Sequence, residues 1–391
     1  MADRSTGPDE GVEAEQRLVG RLFAQRPEDD PHALLRSASL PGCRYHVVDA
    51  LLRDSRFGPP RVRPSEEPFW QMFARWLISL DGERHARMRR HFQRLFTPRR
   101  VGTFRGVVER RAAELLDRTI ARGEMDLVDE FARPLPFAVI LDVLGVELGS
   151  HDWLRERTLV LGQGFAHQQE PAYIERASEA ITEMLAFFSD RLDERACEPR
   201  DDLLSVLASS IPDDDDGRPD VLANCIFFIE AGHATTTSLI SGGLLLLLEH
   251  RPELERLRDE PATVSAAVEE MLRLVTPVTL AVCRPREDVE VDGYRFEEGV
   301  SRLVFLAAAN RDPDVFADPG RFDPERAPRH LAFSAGAHYC LGAPLARLHA
   351  EIALTTLLGR LPGLRLSGDP VRRGFVPLHE LEHLPIAWDA P

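Results

Sequence analysis

Apolar residues recur at three- and four-residue spacing, with charges between them, over 108–121, 177–195, 262–274 and 343–358. That is the period of amphipathic helices. Positions 218–249 carry a longer apolar stretch, which predicts a helix of roughly 30 residues, enough to cross a domain. Strand-like alternation is sparse and late, at 289–296 and 303–306, with Asp292-Gly293 and Glu298-Gly299 as turn residues. The run Asp213–Asp216 before Gly217 predicts a solvated loop. No internal repeat or long linker interrupts the pattern, so a mainly α fold with a small β portion is expected, as a single domain over 1–391. Roughly the first 25 residues are polar and are expected to be a disordered terminal segment.

Composition narrows the function more than the fold. With 43% hydrophobic and 29% charged residues the chain is globular, which excludes collagen-like and intrinsically disordered classes. The net charge of −16 disfavours a phosphate backbone, so nucleic acid is not an expected partner. All 48 basic residues are arginine, a codon signature with no functional content. The five cysteines, Cys43, Cys197, Cys225, Cys283 and Cys340, form no CxxC pair, which argues against disulfide or structural zinc frameworks. The N-terminus has no apolar signal-like core. Residues 231–248 lack formal charge but include His233, three threonines and three glycines. They read as a buried core helix, so a cytoplasmic protein without membrane attachment is expected.

Two segments break their own local rules. In the middle of the long helix stands Ala231-Gly232-His233-Ala234-Thr235-Thr236-Thr237. Glycine and β-branched threonine weaken a helix interior. Either a neighbouring helix approaches at Gly232, or the stretch leaves room for a ligand. The second segment, Phe333-Ser334-Ala335-Gly336-Ala337-His338-Tyr339-Cys340-Leu341-Gly342, surrounds one cysteine with small residues just before an apolar helix. Amides and the helix dipole there favour a thiolate, able to act as nucleophile or metal ligand. For a lone cysteine the ordinary alternative is an inert small hydrophobe.

The spacing Phe-x-x-Gly-x-His-x-Cys-x-Gly resembles the haem-binding loop of cytochromes P450, the thiolate case of haem ligation. Further matches stand in order from about residue 44 to 386. Glu270-Met-Leu-Arg273 resembles the family's Glu-x-x-Arg, with Arg321 in Pro319-Gly320-Arg321-Phe322 as third member of that ion network. Ala231, Gly232 and Thr235 resemble its oxygen-binding groove, and His85 with Arg89 resembles a propionate-binding pair. Ala308-Ala309-Asn310-Arg311-Asp312-Pro313 resembles a stretch of soluble bacterial members.

The resemblance implies a haem-thiolate monooxygenase with haem b (iron protoporphyrin IX), O2 as co-substrate and a small organic substrate of specialised metabolism. Electrons would come from NAD(P)H indirectly, through ferredoxin reductase and ferredoxin, to a monomer. Cys340 would ligate the iron, with Phe333, Gly336, His338 and Gly342 around it. His85, Arg89, Arg284 and His338 would hold the propionates. Arg99, Arg100 and Arg347 are candidates for contacting an acidic electron carrier. Pocket walls would fall at 57–80, 161–169, Phe227, Phe228, Val278 and His379.

Three departures qualify the match. Ala234 stands where the family carries the acid that relays protons to dioxygen, leaving Thr235, with Glu230 one turn earlier or the adjacent His233 as a relocated relay, or proton delivery by the substrate itself. This admits atypical oxidation such as coupling or desaturation, or a haem-thiolate sensor or recruitment protein without turnover; peroxide-driven chemistry ranks lower, since no arginine lies between Pro219 and His250. Only residues 36–45 are available for two N-terminal strands, so those strands are expected to be reduced. Leu378-His379-Glu380 replaces the more usual Arg-Gly of a C-terminal turn.

Overall fold

The helices expected from periodicity form with modestly different limits. Arg105–Asp117, Pro171–Cys197, Val264–Val275 and Ala343–Arg360 each bury an apolar face, and Gly217–Glu249 runs unbroken as one long helix. The computed structural model describes residues 40–389, except 63, 210, 212–215 and 374–376, together with 14, 15, 17, 18 and 21. Most of the first 25 residues and Asp213–Asp215 therefore lie outside the described residues. Glu15 is described and buried: it accepts from Arg302 Nη2 at 2.7 Å and from the Leu303 amide at 3.0 Å.

The chain divides into two compact units. One comprises residues 1–60, 108–135 and 234–391 and holds the strands Phe57–Gly58, Ala281–Pro285 and Arg302–Val304, in that order, as an antiparallel sheet. Val47, Val48 and Leu51 pack with the strand residues Phe57, Cys283 and Val304. A second sheet orders Glu124–Asp126, Pro385–Ala387 and Arg365–Leu366, and the hairpin Val289–Val291 with Tyr294–Phe296 turns at Asp292-Gly293.

The stretch 303–306, expected as a strand, is split. Strand ends at Val304, and Leu306–Ala309 is a short helix whose four side chains are all buried. Leu-Ala-Ala-Ala has high helix propensity, and burial supplies what its shortness lacks. Before Tyr45 the described residues hold a 3-10 turn, Pro41–Cys43, and no strand; residues 36–39 lie outside the described residues.

A buried ion pair anchors this first unit. Glu270 and Arg273 have no exposed side-chain surface and make a bidentate contact, Nε to Oε2 at 2.8 Å and Nη2 to Oε1 at 2.7 Å. The third member is not Arg321. Its side chain is exposed and it contributes only its carbonyl, to Arg273 Nη2 at 3.1 Å. Arg326 takes the place, donating from Nε to Glu270 Oε1 at 3.0 Å, because the 3-10 turn Pro324–Arg326 brings it back to the Val264–Val275 helix. Removing one member of such a group leaves a buried charge uncompensated, which costs about 3–5 kcal/mol.

The other unit comprises residues 61–107 and 136–233. Helices His151–Ala166 and Pro171–Cys197 meet closely at Gly164, where a methyl group would come within 2.7 Å of Ala177 Cβ. Asp220, fully buried in the first turns of the long helix, accepts from Arg75 at 2.9 Å and from Arg84 at 2.6 and 2.9 Å. That clamp fixes helix Gly82–Gln93, on which Arg84 precedes His85.

Candidate active site

The cysteine loop is built by its backbone before any side chain acts. Ser334 and Gly336 both have positive φ, 60° and 64°, and a 3-10 turn, Gly336–His338, follows. Gly336 is demanded twice over, since any Cβ there would sit 2.3 Å from the Leu52 carbonyl oxygen. The Cys340 amide donates to the Phe333 carbonyl at 2.9 Å, closing the loop, and Gly342 caps helix Ala343–Arg360. A Cβ at Gly342 would stand 3.9 Å from Cys340 Sγ, so this glycine keeps the approach to the sulfur low. Phe333 is buried under the Arg347 guanidinium, 4.6 Å from its ring centre.

Environment separates the five cysteines. Burial pushes the Cys43, Cys225 and Cys283 thiols up to about 12, which makes them inert. Cys197 is exposed at the end of a helix, and Cys340 is exposed in the glycine-bounded loop.

Arg284 lies in the same unit, half-buried on strand Ala281–Pro285 opposite Gly58. Among the described residues its guanidinium makes no hydrogen bond or ion pair. A cation held partly out of water without a protein anion suits a carboxylate-bearing ligand. His338, half-buried in the loop, adds a second donor. In the other unit His85 is buried and Arg89 half-buried, one helical turn apart on Gly82–Gln93. Within the first unit, an exposed loop thiol with the nitrogen donors of Arg284 and His338 matches the chemistry of a thiolate-ligated haem with its propionates, so these residues fit that cofactor.

The long helix stays α-helical through Gly232. A methyl at 232 would meet only Ile140 Cγ1, at an ordinary 3.8 Å. Packing therefore does not require this glycine, whereas Gly243 lies where a methyl would come 2.9 Å from Met271 Sδ. Of the two readings of Gly232, the close-approach one loses its support. Thr235 is half-buried, as is Glu230, while Ala231 is exposed. Thr237 donates to the Ala132 carbonyl at 3.1 Å, and His233 Nδ1 bonds back to the Ile229 carbonyl at 2.8 Å.

The remaining candidates sort by contact. Phe228 is a core residue and not a wall: it is buried, with its ring 4.8 Å from Phe92 and 5.3 Å from Phe96. Phe227 is half-buried against Trp76, centroids 5.0 Å apart. Val278 is half-buried and pairs with Leu378 in an isolated antiparallel bridge. The His379 ring is engaged by protein on both nitrogens, Nδ1 with the Val275 carbonyl at 2.8 Å and Nε2 with Arg372 at 3.0 Å.

Arg347 was expected at a docking surface, yet it forms a two-point contact with Glu269, Nε to Oε1 at 2.6 Å and Nη2 to Oε2 at 2.9 Å. Burial alone would raise the Glu269 carboxyl, but hydrogen bonds from His330 and Arg347 outweigh it and hold the group at about 2. Arg100 pairs with the exposed Asp201 at 3.0 Å. Sequence reasoning missed Arg326 and the Glu269–Arg347 pair, whose partners are 78 residues apart with no motif linking them.

Comparison with known proteins places this geometry. The family model described as Cytochrome P450 matches residues 165–362. The 6-deoxyerythronolide B hydroxylase of Saccharopolyspora erythraea is 38% identical over 327 residues, covering 81% of this chain and 79% of that protein. Among solved structures, P450BioI in complex with hexadec-9Z-enoic acid ligated acyl carrier protein superposes with a TM-score of 0.84 at 30% identity, over 89% of this chain and 91% of that one. CxnD, a P450 for C–S bond formation in chuangxinmycin biosynthesis, gives 0.81 at 30% identity, over 94% and 97%. The family binds haem, uses O2 and draws electrons from redox partners. With the cysteine loop, the buried Glu270–Arg273 pair and this similarity across most of its length, the chain belongs to the cytochrome P450 family and is a monooxygenase-type oxidoreductase of small organic substrates.

Proposed function

We propose that the protein is a cytoplasmic, monomeric haem-thiolate monooxygenase of specialised metabolism in which Cys340 is the iron ligand. The observation that carries this reading is Cys340 itself: an exposed thiol in a glycine-bounded loop, while Cys43, Cys225 and Cys283 are sealed in the core. When bound, haem b supplies the oxygen-activating redox chemistry that side chains lack, and a thiolate ligand favours O–O cleavage over reversible oxygen storage.

This chain's residues do the holding and steering. Arg284 and His338 supply donors for propionate oxygens, a role that the family resemblance also gives His85 and Arg89. Gly342 keeps a side chain away from the sulfur, Gly336 lets the loop lie against the Leu52 carbonyl, and Phe333 is the residue placed to pack beside the macrocycle. Thr235 offers a hydroxyl on the oxygen-binding side, and Ala231 and Gly232 leave space there. Ala234 cannot move a proton, so the Glu230 carboxyl, one turn earlier on the same helix, is the relay acid of this reading. Electrons come from NAD(P)H through a ferredoxin reductase and a ferredoxin; neither nucleic acid nor membrane takes part.

The substrate is a largely apolar molecule with some polar anchoring, and its oxidation is supported by relatives such as the 6-deoxyerythronolide B hydroxylase and the mycinamicin IV hydroxylase/epoxidase. Ala234 favours a second reading, a haem-thiolate sensor or recruitment protein. NADH consumption with surrogate redox partners separates the two, since the second predicts none with any ligand. The first test is the spectrum of the reduced protein with carbon monoxide. The red-shifted Soret band of thiolate ligation is expected, and its absence overturns the assignment.

A further inference from the structure

The segment 377–380 is tied to three elements of its unit by one residue. The His379 amide donates to the Pro277 carbonyl at 2.8 Å, and the Ser238 hydroxyl of the long helix donates to the His379 carbonyl. The ring takes the other two directions. Val275 O, the last carbonyl of helix Val264–Val275, can only accept, so Nδ1 carries the hydrogen. Arg372, on strand Val371–Arg372, can only donate, so Nε2 accepts. The two contacts together fix a neutral Nδ1–H tautomer. They also satisfy a helix-terminal carbonyl that would otherwise lack an intrahelical partner.

What this clip holds is an apolar pair. Leu378, next to His379, bridges Val278, and the Thr279 amide and hydroxyl both donate to the Pro377 carbonyl, at 2.8 and 3.1 Å. Val278 and Leu378 are half-buried, so they are walls with one face open. Ser238 follows Thr235 by three residues on one helix, which sets the clip one turn from the threonine hydroxyl.

We infer that His379 is a positioning residue: its imidazole fixes the 377–380 turn against helix Val264–Val275 and strand Val371–Arg372, and so sets the Val278–Leu378 wall that selects apolar groups entering beside Thr235. The inference rests on the haem-thiolate reading above. It makes His379 a determinant of substrate fit that acts through Leu378 and Val278 and need not touch the substrate.

The test compares two iron ligands on haem-loaded protein by spectral titration. Imidazole is too small to need the wall; 4-phenylimidazole carries an apolar ring that does. His379→Ala should weaken 4-phenylimidazole binding about tenfold, on the scale of one or two lost hydrogen bonds, with imidazole changed by less than about twofold. His379→Asn, which restores a donor toward the Val275 carbonyl, should recover most of the difference, and Ser238→Ala should lose about threefold. An unchanged ratio of the two affinities in both His379→Ala and Ser238→Ala overturns the inference. So does an equal loss of both ligands with no recovery in His379→Asn, the mark of a merely structural residue. A wild-type protein that gives no spectral change with imidazole overturns the haem reading itself, and this inference with it.

Discussion

The cysteine loop and the middle of the long helix impose opposite demands on their sequences. In the loop nearly every position is dictated by backbone: Gly336 has positive φ and a carbonyl 2.3 Å from where its Cβ would be, and the Cys340 amide is committed to Phe333. In the helix, Gly232 stands where a methyl would fit at 3.8 Å, and Ala234 replaces a carboxylate without disturbing the ladder. Structure constrains the loop proposed to hold the haem, whereas it permits change at the helix positions proposed to steer the reaction. Substitutions should separate the two.

The largest effect belongs to the scaffold under the loop. Glu270→Ala leaves Arg273 buried and uncompensated, and a loss of about 3–5 kcal/mol is expected. Urea unfolding should show it, together with poor haem occupancy in the purified protein. Near-wild-type stability and occupancy would break the claim that the loop side is the constrained one. Gly336→Ala should come next, at about 2–3 kcal/mol, from a positive φ combined with a clash against main chain that cannot move aside.

On the permissive side, stability should hardly move while chemistry does. Glu230→Gln removes the proposed relay acid but keeps its shape. With surrogate redox partners, roughly tenfold less of the electron flow should reach product, the rest appearing as hydrogen peroxide, with melting temperature little altered. Ala234→Glu in that background should restore coupling. Unchanged peroxide release in both variants would remove Glu230 from the account.

The smallest effect comes from His349, within the helix that follows the loop. It is buried, neither ring nitrogen has a hydrogen-bond partner among the described residues, and burial pushes it down from 6.5 to about 3. Between those values the unfolded chain binds a proton that the folded one refuses. Stability should therefore fall as pH drops below 6.5, by about 1.4 kcal/mol per pH unit for this group. His349→Leu should flatten that slope and raise stability at neutral pH by about 1 kcal/mol. An unaltered acid limb in thermal melts would show that His349 is not its source.

The same contrast explains what could be read in advance. Helices such as Val264–Val275 and Ala343–Arg360 were legible because burial repeats with the helical period, and the loop because its chemistry is contiguous from Phe333 to Gly342. The third partner of Glu270 was not: Arg321 and Arg326 are both loop arginines near the motif, and only the turn Pro324–Arg326 decides which one reaches the carboxylate. His379 could be singled out as unusual, but its role could not, since its ring partner Val275 lies 104 residues away. Phe228 looked like a pocket wall because aromatic residues line both pockets and cores, and its contacts with Phe92 and Phe96 settle the matter.

The central claim, that sulfur at position 340 ligates the iron, is tested most directly by one paired spectrum. Reduced Cys340→Ser and Cys197→Ser proteins are compared under carbon monoxide. The account predicts that the thiolate-type red-shifted band disappears in Cys340→Ser and persists in Cys197→Ser; a Cys340→Ser protein that keeps the band contradicts it.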